Sequence, residues 1–159
     1  VFATLLTGTS YGFDFNPTVD RIRVVGNTGQ NLRLDPNTGL VAATDLVLNP
    51  GTPNVSAAAY TNNFAGATTT SLFVIDVTTD KLYLQNPPNN GVLTEVGALG
   101  INVEAANGFD IGSTTGIAYA IFTVGTTNAL YSINTTTGMA TKLFDFPKNT
   151  RGFTVGLGF

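Results

Sequence analysis

Gly12-Phe13-Asp14-Phe15-Asn16-Pro17 opens a unit that the chain then repeats. A short stretch of the same kind, mixing small and aromatic residues, returns at Ala58-Ala59-Tyr60-Thr61, Gly108-Phe109-Asp110-Ile111 and Gly152-Phe153-Thr154-Val155. With Phe13, Tyr60, Phe109 and Phe153 as markers, the intervals are 47, 49 and 44 residues. Self-similarity at that period belongs to propellers, solenoids and arrays, in which each repeat is one supersecondary unit that buries its faces on its neighbours.

Between the markers, runs rich in β-branched and aromatic residues alternate with Gly, Pro, Asn, Asp and Thr, which reads as strands and tight turns. The first unit predicts strands at 11–15, 21–26, 31–34 and 40–46. The second predicts 55–61, 71–77, 81–85 and 92–96, and the third 107–111, 117–124, 129–133 and 139–146. The turn from third to fourth strand opens on Asp35, Asn86 and Asn134 and closes on Gly39, Gly91 and Gly138. An Asx side chain bonds the backbone two residues on and Gly supplies the positive φ at the far end, so these are expected to be hairpin turns rather than binding loops.

The expected fold class is therefore all-β, a β-propeller-like array of about three four-stranded antiparallel blades in a single domain over 1–159, with units at about 11–46, 55–97 and 107–146. Residues 1–7 resemble a fourth strand and 151–159 a first strand, so both are expected to be incomplete terminal blades. Unpaired edges of that sort are templates for pairing. A missing region, a partner chain or head-to-tail assembly is expected to complete them. The chain begins Val1-Phe2-Ala3, which is expected to reflect a removed leader or a fragment.

Composition narrows the chemistry. The chain has 159 residues, no Cys, His or Trp, 43% apolar and 11% charged residues, and a net charge of −3. Without Cys and His there is no thiolate nucleophile, no Ser-His-Asp triad and none of the commonest transition-metal ligands. Basic residues form no run that would track a phosphate backbone, so nucleic acid is not an expected partner. No apolar stretch reaches the roughly 20 residues of a bilayer-spanning helix. Abundant Thr, Asn and Gly with little Lys suits a secreted or cell-surface β protein.

Several ordered motifs carry a family resemblance: the opening Gly12–Pro17 motif, Asp20-Arg21-Ile22-Arg23-Val24-Val25, Thr28-Gly29-Gln30-Asn31-Leu32-Arg33, Ala58-Ala59-Tyr60-Thr61-Asn62-Asn63, Gln85-Asn86-Pro87-Pro88-Asn89 and Gly108-Phe109-Asp110-Ile111. Together, across nearly the whole chain, they closely resemble the DUF4394 domain of secreted bacterial proteins. The resemblance implies a propeller-type repeat fold, more sequence before the Gly12 motif, and secretion. It implies no activity.

Three sets of residues are candidates for function. Asp14 and Asp110 occupy one place in two repeats, with Thr61 at the matching offset of the second. Two carboxylates converging on a channel would suit Ca²⁺, which takes six to eight oxygens; the alternative is that each holds backbone amides of neighbouring strands. Arg21, Arg23 and Arg33 lie on one hairpin and would form a cationic patch for the carboxylates or sulfates of an acidic polysaccharide. The alternative there is neutralisation by Asp20, Asp35 and Asp14. Strand aromatics such as Phe13, Tyr60, Phe73, Phe122 and Tyr131 are expected in the core.

The expected function is a secreted or cell-surface structural and interaction module, completed by β-strand pairing with itself or a partner chain. A carbohydrate-binding module for acidic glycans is the alternative. A Ca²⁺-dependent hydrolase with Asp14 and Asp110 in the channel comes third, because no base partner accompanies the two acids. No cofactor is expected beyond that calcium.

Overall fold

A computed structural model describes residues 5–146 and 150–156. Twelve strands form three four-stranded antiparallel sheets, each a meander in sequence order. The first holds β1 (Tyr11–Asn16), β2 (Arg21–Gly26), β3 (Asn31–Leu34) and β4 (Val41–Thr44). The second holds β5 (Val55–Tyr60), β6 (Leu72–Asp76), β7 (Lys81–Gln85) and β8 (Leu93–Ala98). The third holds β9 (Ala105–Ile111), β10 (Ala118–Val124), β11 (Thr127–Ile133) and β12 (Ala140–Asp145). The sheets pack through their first strands, β1 on β5 and β5 on β9, without closing on themselves.

Two of the three expected Asx turns form, and the third, from Asn86 to Gly91, is built instead on a 3-10 turn at Pro88–Asn90. Asp35 Oδ1 accepts the Asn37 and Thr38 amides at 2.9 and 3.0 Å, and Asn134 Oδ1 accepts those of Thr136 and Thr137 at 2.9 and 3.1 Å. Gly39 and Gly138 close the same turns at φ 69° and 82°, where an L side chain is strained. The two amides hold the Asp35 carboxyl below its ordinary value.

Side-chain alternation gives each sheet two different faces. On the first sheet Asp14 stands opposite Arg23 and Arg23 opposite Arg33, all toward the second sheet. The other face carries Phe13, Phe15, Ile22, Val24, Leu32 and Leu34. The second sheet turns Ala58, Tyr60, Leu72 and Val74 toward the first and Ala57, Ala59, Ile75 and Leu82 toward the third. Against the latter lie Phe109, Ile111, Ala120, Phe122, Tyr131 and Ile133, the largest apolar core of the molecule.

Two expectations are corrected here. Phe13 is not in the core: it is 54% exposed and stacks edge-on against the 53% exposed Phe15, with ring centroids 6.2 Å apart. Its face has no second sheet against it among the described residues, whereas Phe109 is covered by the second sheet. The terminal segments carry no strand either, as far as they are described. Thr7 donates its amide to Gln30 Oε1 at 2.9 Å and Gln30 Nε2 donates to the Leu5 carbonyl at 3.0 Å, so side chains of the β2–β3 hairpin take the place of a ladder. Residues 1–4 and 157–159 of the two expected terminal blades lie outside the described residues.

Candidate functional site

The three arginines do not share one surface. Arg23 is 2% exposed and every nitrogen of its guanidinium donates a hydrogen bond. Nη1 donates to Asp45 Oδ2 at 2.6 Å and Asn31 Oδ1 at 2.8 Å, Nη2 to Asn89 Oδ1 at 2.7 Å, and Nε to the Tyr60 hydroxyl at 3.4 Å. Arg33 grips the same Asp45 with a bidentate fork, Nε to Oδ2 at 2.9 Å and Nη2 to Oδ1 at 2.8 Å. Arg21 stays at the sheet end, bonded to the carbonyl of its neighbour Asp20. The counter-charge of Arg23 and Arg33 is thus Asp45, while the charge of Arg21 acts on Asp35, one of the expected acids.

Asp45 follows β4, and its amide bonds the Asn31 carbonyl, which carries the carboxylate to the face where Arg23 and Arg33 point. Burial alone would raise its pKa, but the hydrogen bonds and charges of Arg33 and Arg23 outweigh that and hold the carboxyl below its ordinary value. Asn31 also donates to the carbonyls of Leu46 and Pro88 at 3.1 and 2.9 Å, tying the first sheet to the β7–β8 turn of the second. Chemically this cluster is a satisfied buried ion pair between two sheets.

Asp14 and Asp110 repeat one geometry atom for atom. Asp14 Oδ1 accepts the amide of Phe15 at 2.7 Å and Oδ2 the amide of Tyr60 on β5 at 2.6 Å. Asp110 Oδ1 accepts the amide of Ile111 at 2.8 Å, and Oδ2 accepts the Val155 amide at 2.7 Å and the Thr154 hydroxyl at 2.9 Å. Two residues before each Asp stands a glycine at a close approach: a methyl on Gly12 would overlap the Ala57–Ala58 backbone, and one on Gly108 would overlap Phe153. Each Gly-x-Asp therefore seats the next first strand by shape and by one amide.

That geometry corrects the alignment of the repeats. Tyr60 receives what Val155 receives, and Ala58 sits where Phe153 sits, so the residue of the second unit that matches Asp14 is Ala59, not Thr61. The Tyr60 ring is out of step with Phe13 in the repeat, because it packs toward the first sheet and reaches Arg23. Over 150–156 no ladder forms, yet 153–155 occupy the seat of a first strand on β9.

Asp14 and Asp110 line a common cavity of about 230 Å³ with Asn63, Ser113 and Thr154. A larger cleft of about 580 Å³ runs between the first strands, from Phe13 past Ser56 to Arg151 and Phe153. Burial pushes the Asp14 carboxyl up to about 7; the Tyr60 and Phe15 amides and Asn63 oppose the rise, and the neighbouring Asp110 charge adds to it. Two carboxylates and an Asn fall short of the six to eight oxygens of calcium. Among the described residues no group of three or more Asp, Glu, His or Cys gathers.

The family model for a domain of unknown function, DUF4394, matches residues 1–155. The chain belongs to the DUF4394 family. Among curated proteins no match to it is found. In this DUF4394 chain no helix among the described residues is long and apolar enough to cross a membrane.

Proposed function

We propose that the chain is a structural and interaction module, secreted or at the cell surface, built of propeller-like blades and completed when a further β-sheet covers its open face. One observation carries the reading: Phe13 and Phe15 are about half exposed, side by side on the face where Ile22, Val24, Leu32 and Leu34 form a buried apolar cluster. The corresponding pair on β9, Phe109 and Ile111, is 5% and 1% exposed beneath the second sheet. An exposed aromatic pair beside an apolar cluster is surface that a partner would bury. Address rests on composition, poor in Lys and rich in Thr and Asn.

Face packing has better support than the edge pairing expected from sequence, because the sheets of this chain already meet by their faces. Glycan recognition has less support, since Asp45 takes the fork of Arg33 and the Nη1 of Arg23. The calcium-hydrolase reading has less as well, since Asp14 and Asp110 hold backbone amides.

Photo-crosslinking tests the proposal. A benzophenone side chain in place of Phe13, in the producing cell, is expected to join a peptide with alternating apolar residues from a β-strand, while the same group at exposed Thr79 is not. Equal labelling at both positions, or none at Phe13, would overturn it.

A further inference from the structure

The Gly-x-Asp seat also says which sheet fits the open face; this rests on the reading that a sheet covers it. The three first strands and segment 153–155 place Asp14, Ala59, Asp110 and Thr154 at one equivalent position. Where the residue is Asp, it caps the amide that follows it, Phe15 or Ile111. Where it is not, the Asp of the preceding sheet caps that amide, Tyr60 or Val155. Every such amide is satisfied once, and an acid always has a neutral neighbour: Asp14 beside Ala59, Ala59 before Asp110, Asp110 against Thr154.

Two acids in adjacent seats would break both rules. The amide would have two acceptors competing for it, and two carboxylates would meet beside a cleft walled by Phe13, Phe153 and alanines, where like charges repel strongly. We propose that this position is a pairing determinant: the Phe13–Phe15 face takes a β-sheet whose first strand carries an uncharged residue next to Asp14, as Ala59 stands before Asp110, and it rejects the Asp110 sheet of a second copy of this chain. The partner is thus a sheet resembling β5–β8, small and neutral along its first strand. Segment 153–155 shows the same rule met within the chain, with Thr154 donating to Asp110.

Thr154 is exposed, so an acid placed there meets Asp110 without a burial penalty, and the whole chain serves as the test. Hydrogen exchange of the Val155 amide at pH 7.5 is expected to quicken about tenfold or more in Thr154→Asp. It is expected to stay unchanged in Thr154→Asn, and to return when Thr154→Asp is combined with Asp110→Asn. Unchanged protection in Thr154→Asp would overturn the rule, whatever covers the Phe13 face. Sedimentation supplies the second arm. Thr154→Asp, its seat vacated, is expected to stay monomeric, and Thr154→Asp with Asp14→Asn to associate head to tail because the incoming strand is now neutral. Equal association of the two, or none in either, would overturn the exclusion of a second copy.

Discussion

Arg23 and Asp45 meet at 2.6 Å with only 2% and 7% of their side chains exposed, and Arg33 closes on the same carboxylate from the neighbouring strand. Removing one member of such a pair leaves a buried charge uncompensated. Asp45→Ala is therefore expected to destabilise the chain by about 3 kcal/mol or more, while Lys81→Ala, which breaks a partly exposed pair with Glu95, leaves stability almost unchanged. Urea denaturation of the two variants checks the contrast.

Acidity acts on the two carboxylates in opposite senses. The folded-state pKa of Asp45 is depressed, so its contribution is present above its unfolded value of 3.8 and is lost as pH falls through the lower folded value. That of Asp14 is raised to about 7, so its contribution is full below 3.8 and lost as pH rises through 7. Stability of Asp14→Asn relative to the unsubstituted chain is thus expected to improve from pH 4 to pH 8, and that of Asp45→Asn to worsen from about pH 2 to about pH 5. Denaturant midpoints across pH read both slopes.

Gly12→Ala is expected to destabilise by about 1–3 kcal/mol, because the new methyl overlaps the Ala57–Ala58 backbone and the two sheets have to separate. Gly152→Ala, where a methyl meets nothing within 4 Å, is expected to shift stability by less than about 1 kcal/mol. Thermal melts of the pair separate close packing from glycine chemistry in general.

A chelator is expected to leave the melting temperature unchanged, and added calcium to leave it unchanged too, since Asp14 and Asp110 already hold backbone amides. A calcium-dependent rise would show binding to the folded state by mass action. Melts with EDTA and with calcium decide it.

Much of this architecture was legible in the sequence, and for physical reasons. β2, β3 and β7 coincide with the runs expected from β-branched residues between turn signals, and the Asp35 and Asn134 turns bond as Asx chemistry requires. Matching Asp14 with Asp110 was legible because their Gly-x-Asp context is identical. Asp45 was harder to see, since it lies 22 residues from Arg23 and its role depends on the β3–β4 register. A lone acid in the otherwise apolar and small stretch 40–48 was the available signal. Exposure of Phe13 had none, because a strand aromatic reads the same whether or not a neighbouring sheet covers it.

The two contacts between sheets are made of different materials. Between the first and second, Arg23, Asp45, Asn31 and Asn89 interlock beside Val25 and Leu48; between the second and third, Ile75, Leu82, Phe109 and Phe122 meet with almost no polar group. Charge pairing yields to protons, and apolar contact weakens in the cold. The molecule accordingly has one acid-sensitive joint and one cold-sensitive joint, and its sheets would part in a different order depending on which stress is applied.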